Sequence, residues 1–259
     1  MRTLLAALCL LVPCNQVFSD FTFEAKPWTK SFLETSCSFS LEKISPHFKT
    51  KKSCCTHPTS QGMALVSASL QPEWQVDVVA AAGSLATGKI AARAERLLLS
   101  DLKDSPFALS CFLGVAKSQE ERVKNPSFFE MAQETCEAGF GLGKHIYVGK
   151  NAYTQAFSYL IGGIGRRAQW GQLEAGVYHS FFGNQAVRCS LSHVISFPHH
   201  HVFHGYGTIR THVNEISLQY SYRLDSVEIF LLVAKRWVGK GPLRSAEVYR
   251  AGLTYPISL

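Results

Sequence analysis

The stretch Glu215–Leu224, EISLQYSYRL, alternates apolar and polar residues from its first position to its last. One face carries Ile216, Leu218, Tyr220, Tyr222 and Leu224, and the other carries Glu215, Ser217, Gln219, Ser221 and Arg223. Successive side chains of a β-strand point to opposite faces, whereas a helix repeats every 3.6 residues. The stretch therefore predicts a strand with one apolar and one polar face.

Eleven further segments share this period of two. The twelve cover 35–43, 63–70, 74–82, 90–99, 106–116, 135–148, 152–164, 170–182, 186–197, 215–224, 227–238 and 246–257. Many exceed the ~5–6 residues of a typical soluble strand and approach the ~9–11 of a tilted membrane strand. Aromatic residues lie near the segment ends, at Trp74, Phe107, Phe181, Phe197, Tyr222 and Trp237. We predict an all-β fold, an antiparallel transmembrane β-barrel of about twelve strands.

The gaps between these segments indicate how the barrel is oriented. Outer-membrane barrels have short turns on the periplasmic side and longer loops outside. With a periplasmic amino terminus, most long gaps fall on the outer side, notably 44–62, 117–134 and 198–214. Two segments stay ambiguous: 90–99 contains strong helix formers and could be a helix, and 202–213 could extend a hairpin.

Composition and the first residues bear on location. The chain has 259 residues, 46% of them hydrophobic and 17% charged, with a net charge of +7, which argues against a disordered chain. A positive start, the apolar run 4–12 and small residues before Asp20 are typical of a secretory signal. We expect a signal peptide at 1–19, a periplasmic segment at 20–34 and the barrel domain at 35–259.

The last residues carry a resemblance to a known class. Tyr249, Ala251, Leu253, Tyr255, Ile257 and Leu259 alternate to the end of the chain. This resembles the final strand of Gram-negative outer-membrane β-barrels, which the barrel-assembly machinery recognises. The resemblance implies a cell outer-membrane location, contact with membrane lipid and that machinery as a partner. Positive charge fits contact with lipopolysaccharide, and we expect no nucleic-acid partner because the basic runs are short.

The polar faces supply the candidate functional residues. We expect these side chains to line the lumen: Arg93, Glu95, Gln172, Glu174, Arg188, Glu215, Gln219, Arg223, Glu228, Arg236 and Arg250. Opposed rings of basic and acidic groups tune ion selectivity in channels. Alternatively, these groups pair across a closed lumen and only support the barrel. If the lumen is open, the surplus of arginine favours anions.

Other motifs give weaker indications. His199, His200, His201 and His204 fall in one short stretch but lack a carboxylate or thiolate nearby, so we assign no metal or cofactor site. Tyr153–Gln155 with His179 and Ser180 resembles outer-membrane phospholipases, but adjacent strand residues face opposite ways and cannot share a proton. We interpret Gly139, Gly141 and Gly143 as glycines that let a curved strand bend.

The sequence leaves several functions open. The prediction is a channel or porin-like pore for small polar solutes, with enzymatic activity not expected. The alternatives are a surface adhesin or structural barrel acting through its outer loops, a membrane-embedded lipid hydrolase and a soluble exported disulfide-bonded β-sandwich. Six cysteines follow the predicted signal and permit fifteen sets of three disulfides. We expect Cys111, Cys136 and Cys189 on the apolar face.

Overall fold

The computed structural model describes residues 35–48, 59–71, 73–83, 86–101, 105–118, 134–149, 152–165, 168–198, 211–238 and 243–257. These residues form twelve strands. They are β1 (Thr35–Phe48), β2 (Thr59–Gln71), β3 (Trp74–Gly83), β4 (Ala86–Leu99), β5 (Ala108–Ser118), β6 (Glu134–Val148), β7 (Tyr153–Gly165), β8 (Ala168–Phe181), β9 (Gln185–Pro198), β10 (Thr211–Leu224), β11 (Val227–Val238) and β12 (Leu243–Ile257).

The strands close on themselves into one antiparallel barrel. Each strand pairs with the next along the chain, and β1 pairs with β12 from Thr35 opposite Ile257 to Phe48 opposite Leu243. Closure gives the backbone N–H and C=O groups of every strand a neighbour on both sides, which removes the exposed edges that open sheets carry. The predicted fold class is confirmed, with twelve strands.

The ambiguous segment 90–99 is a strand, so the helical alternative is wrong. Ala86–Leu99 pairs with β3 on one side and with β5 on the other. Its strong helix formers are overruled because hydrogen bonds to two neighbouring strands outweigh the weak intrinsic preference of single residues. The strand β10 begins at Thr211, four residues before its predicted start, and the histidine stretch at 199–204 lies outside the described residues.

Two ends of the barrel can be distinguished. We call the end where β1 begins and β12 ends the terminal rim, and the opposite end the loop rim. Gaps of ten, fifteen and twelve residues (49–58, 119–133 and 199–210) open at the loop rim. Two other gaps at this rim are only two residues long, 84–85 and 166–167, because the strands beside them extend past their predicted ends.

The barrel is apolar outside, and its interior holds both polar and apolar side chains. Its outer face exposes large apolar side chains at alternate positions, among them Leu41 at 73% and Leu113 at 69% exposure. Its inner face buries charged and polar side chains such as Glu42, Arg93 and Glu174. In the described part of the chain, no helix has the length and apolar character to cross a membrane. Many large apolar side chains are thus exposed on the outer face, whereas a soluble protein buries most of them.

Aromatic side chains mark both rims of the outer face. Trp74, Phe107 and Tyr222 are exposed near the terminal rim, and Phe197 and Trp237 are exposed near the loop rim. Arg96 lies over the ring of Trp74, with its guanidinium carbon 5.4 Å from the ring centroid. Two aromatic belts flanking an apolar band are typical of barrels whose outer face meets a membrane.

Candidate functional site

All of the charged and amide side chains that we predicted to line the lumen lie on the inner wall of the barrel. Register and burial put each of them on the inward face of its strand. They are Arg93 and Glu95 on β4, Gln172 and Glu174 on β8, Arg188 on β9, Glu215, Gln219 and Arg223 on β10, Glu228 and Arg236 on β11, and Arg250 on β12.

Each arginine of this set contacts a carboxylate on its own strand or on the neighbouring strand. The shortest separations are 2.6 Å from Arg250 to Glu42, 2.7 Å from Arg188 to Glu174, 3.5 Å from Arg93 to Glu95 and 3.7 Å from Arg223 to Glu228. Arg236 donates from Nε to Glu215. A buried charge is tolerated when a partner compensates for its lost hydration. Four of these pairs provide this, whereas Arg223 and Glu228 are partly exposed, at 59% and 31%.

The pairs run along the wall and do not segregate the two signs of charge. Arg188 and Glu174 occupy adjacent strands, as do Arg236 and Glu215 and also Arg250 and Glu42. Basic and acidic groups therefore alternate around the barrel instead of forming opposed rings. The electrostatic field inside the barrel is therefore set by the net charge of the wall, because the paired groups form no dipole directed across the lumen.

Three inner carboxylates were missed at the sequence level: Glu42, Asp77 and Glu137. Glu42 shares the inward face of β1 with Ser36, Ser38 and Ser40, and Asp77 lies on the inward face of β3. Glu137 faces inward on β6, across from Gly114 on β5. Alternation carried the signal for Asp77 and Glu137, since each is flanked by outward apolar or small residues, whereas Glu42 lies between Leu41 and the exposed Lys43.

An apolar cluster covers the inner wall of β5 to β8. Phe112, Phe157, Tyr159, Ile161 and Trp170 form it, and Tyr178 packs against it. Arginine side chains lie on these rings, since the guanidinium carbon of Arg93 is 3.4 Å from the centroid of Phe112 and that of Arg188 is 4.9 Å from Phe157. Cation–π contact and carboxylate pairing together fix both guanidinium groups against the wall.

Glycines opposite the large inner side chains give them space against the wall. A Cβ atom on Gly139 would come within 2.9 Å of Phe112, and one on Gly176 within 2.7 Å of Phe157. Each glycine is the direct cross-strand partner of the residue that covers it. The role of Gly139 is therefore to admit the ring of Phe112, a cross-strand packing role that the sequence interpretation of strand curvature did not include.

A hydrogen-bonded pair at the terminal rim anchors the β4–β5 turn to β6. The backbone N–H of His145 donates to Oδ2 of Asp101 at 2.5 Å, and Nδ1 of His145 lies 2.9 Å from Oδ1. Both side chains are nearly inaccessible, at 1% exposure for Asp101 and 5% for His145. Burial by itself raises the pKa of Asp101, but hydrogen bonds from His145 outweigh it and hold the pKa below the ordinary 3.8.

The remaining motifs form no further site among the described residues. His179 faces outward with Nδ1 2.8 Å from Oγ1 of Thr154, whereas Ser180 pairs with Tyr153 and faces inward. The part of the chain that the structure describes has no group of three or more His, Cys, Asp or Glu able to hold a metal ion. Cys37, Cys111, Cys136 and Cys189 are free thiols on the outer face.

A closed barrel of twelve antiparallel strands, with an apolar outer face and charged groups on its inner wall, defines the class of transmembrane β-barrels. Solved structures have the same fold. The COG4313 outer membrane channel from Pseudomonas putida F1 matches with a TM-score of 0.58 at 8% identity, over 93% of this chain and 100% of that chain. A KdgM porin matches with a TM-score of 0.51 at 10% identity, over 86% and 99% of the two chains.

A third structure, the NanC porin, matches with a TM-score of 0.51 at 8% identity, over 85% of this chain and 100% of that one. No protein-family model and no curated protein matches the sequence. At such low identity the likeness establishes the fold, and solutes and selectivity have to be argued from the residues of this chain.

Proposed function

We propose that this chain is an outer-membrane channel that passes small polar solutes, in the manner of a porin. The observation that carries the proposal is the arrangement of the inner wall. Its charged groups pair along the wall, and its large rings lie against glycines of the neighbouring strands. Side chains that pair along the wall instead of across the axis favour a solute path through the barrel, and a twelve-stranded barrel is wider than the packed eight-stranded ones.

The outer face supports a location in the outer membrane. Exposed leucine, valine and phenylalanine side chains form its band, and cationic side chains lie toward both rims. Lys43, Lys117 and Lys235 are exposed toward the loop rim, and Arg96 and Lys144 toward the terminal rim. Long cationic side chains at this level reach the headgroup region of a bilayer. We include lipid, anionic lipopolysaccharide headgroups and the barrel-assembly machinery as partners in the proposal.

The test measures ion conductance through the protein after folding of the barrel has been checked. The full chain, refolded in detergent under reducing conditions, is run on a gel with and without boiling, because a detergent-stable barrel changes mobility when it unfolds. The same preparation is then added to a planar bilayer. Stepwise ion conductance from the heat-modifiable species supports the channel. A heat-modifiable barrel with no conductance at any applied voltage refutes it.

A surface barrel that acts through its loops is the second candidate function. The three longest gaps, 49–58, 119–133 and 199–210, all open at the loop rim, where an outer-membrane barrel presents its outer loops. Heat modifiability without conductance would favour this candidate. Conductance that persists after residues 199–210 are replaced by a short turn would favour the channel.

A further inference from the structure

The charge balance among the described inner side chains differs from the one that the sequence suggested. Among the described side chains, seven inward carboxylates face five inward guanidinium groups, a net difference of two negative charges. The carboxylates are Glu42, Asp77, Glu95, Glu137, Glu174, Glu215 and Glu228, and the guanidinium groups are Arg93, Arg188, Arg223, Arg236 and Arg250. The surplus in the described wall is therefore acidic.

Pairing with glutamates cancels most of the positive electrostatic potential that these arginines would otherwise place in the lumen. Every one of the five contacts a glutamate, at separations of 3.7 Å or less. Two of them are also covered by aromatic rings, since Arg93 lies on Phe112 and Arg188 on Phe157. An anion inside the lumen would have to compete with a carboxylate already bound to each guanidinium group.

Asp77 is held in a different way from these paired carboxylates. It is 5% exposed, and its two oxygens accept hydrogen bonds from the amide of Gln75 at 2.8 and 2.7 Å. The same amide lies 3.3 Å from the hydroxyl of Ser67 on β2. A neutral amide orients a carboxylate but does not cancel its charge. Arg93 lies across from Asp77 on β4, but its guanidinium pairs with Glu95, so the two carboxylates and one guanidinium together keep one net negative charge.

We propose that the lumen passes cations in preference to anions and that Asp77 is a determinant of this selectivity. The inference rests on the channel function proposed above and names its solute class. Walls of low dielectric constant focus the field of fixed charges into a narrow lumen, which raises the local concentration of the opposite ion. This is the reverse of the anion preference expected from a surplus of arginine.

The experiment is a reversal-potential measurement on the refolded full chain in a bilayer of uncharged phosphatidylcholine, under a KCl gradient. The wild-type permeability ratio of potassium to chloride should exceed one. Asp77→Asn should lower it by about twofold, as expected for loss of one unit charge several ångströms from the ion in a high dielectric. Glu247→Gln is the matched control: it removes one negative charge on the outer face, beside Lys235 and Tyr249, and should leave the ratio unchanged.

A second variant keeps the test decisive if Asp77→Asn does not fold. Arg223 is the most exposed inner arginine and has the longest pair separation, so Arg223→Gln should preserve the barrel and raise the ratio. A wild-type ratio at or below one, or ratios unchanged in both Asp77→Asn and Arg223→Gln, overturns the proposed selectivity and leaves the channel standing. Complete absence of conductance from a heat-modifiable barrel overturns the channel itself.

Discussion

The indole of Trp170 lies directly against Gly163, its cross-strand partner on β7. A Cβ atom added to Gly163 would come within 2.5 Å of Cζ2 of Trp170. The same relationship joins Phe230 to Gly252 on β11 and β12, where an added Cβ would also meet the ring at 2.5 Å. Since both members of each pair face inward, the missing side chain is what allows the ring to lie along the wall.

Gly163→Ala should therefore disturb the lumen. The new methyl group must displace the indole of Trp170 toward the axis, so we expect a smaller single-channel conductance. Overpacking of this kind costs about 1–3 kcal/mol of unfolding free energy, measurable by urea titration in detergent.

The adjacent residue provides a matched control for this substitution. Gly162 faces outward, and a Cβ atom added there meets no atom within 4 Å. Gly162→Ala should leave conductance unchanged and should not lower stability. Equal effects of the two substitutions would contradict the wall-packing role assigned to Gly163.

Alternation was sufficient to predict the fold and the two faces of each strand. Glu215–Leu224 lies within strand β10 in the structure, with Glu215 and Arg223 inward as its pattern indicated. The reason is physical: a strand with one lipid-compatible face must keep a strict period of two, and a shift of one residue would reverse every side chain. Residues 249–257 of the C-terminal row that carried the resemblance likewise lie in a strand, β12.

Cross-strand relationships could not be predicted in the same way. The pairing of Arg250 with Glu42 joins residues 208 positions apart, and it depends on the register at which β12 meets β1. Nothing local to either segment specifies that register. The role of Gly139 depends in the same way on its position opposite Phe112, which is a property of the assembled barrel.

Glu174→Gln should destabilise the barrel much more than Glu228→Gln. The carboxylate of Glu174 pairs with Arg188 at 2.7 Å, and both side chains are about nine-tenths buried. Loss of one partner from a buried pair leaves an uncompensated charge and costs about 3 kcal/mol or more. Glu228 meets Arg223 at 3.7 Å in an exposed position, where a pair contributes about 1 kcal/mol or less. Urea midpoints of the two variants measure the difference, and equal losses would argue against a buried pair at Glu174.

Asp101→Ala should weaken the terminal rim. The pairing of β5 with β6 ends at Ala108 and Gly143, and Asp101 accepts the backbone N–H of His145 just beyond that point. Loss of this carboxylate leaves a buried donor unsatisfied, at a cost of about 1–3 kcal/mol. Asp225→Asn is the control, because Asp225 is exposed in the β10–β11 turn at φ 51°, a conformation that asparagine also tolerates.

The contribution of Asp101 should also depend on pH with a defined sign. Its pKa in the folded barrel is below the ordinary 3.8, so the unfolded chain binds the proton more readily. The stabilisation is therefore complete above that ordinary value and is lost as pH falls through the lower folded value. The unfolding free energies of wild type and Asp101→Ala should differ at neutral pH and converge below about pH 3.8. A difference that stays constant across this range would contradict the assigned hydrogen bonds.

Neighbouring residues of β9 should report opposite environments in a lipid bilayer. Cys189 is an exposed free thiol on the outer face, whereas Ser192 faces inward across from Glu174 and Glu215. A nitroxide spin label on Cys189, with the other cysteines replaced by serine, should collide with dissolved oxygen and be protected from a water-soluble nickel chelate.

The same label on Ser192→Cys, in a background where Cys189 is also serine, should be reached by the nickel chelate if the lumen holds water. Leu191→Cys is the matched control on the outer face, since Leu191 is exposed there two residues from Cys189. Nickel access at Cys189 and Leu191 equal to that at Ser192 would mean that the apolar face does not meet lipid. Leu191 and Ser192 are adjacent, so they lie at nearly the same depth in the membrane and differ in the direction of their side chains. The difference in nickel access between these two positions therefore measures the orientation of the strand.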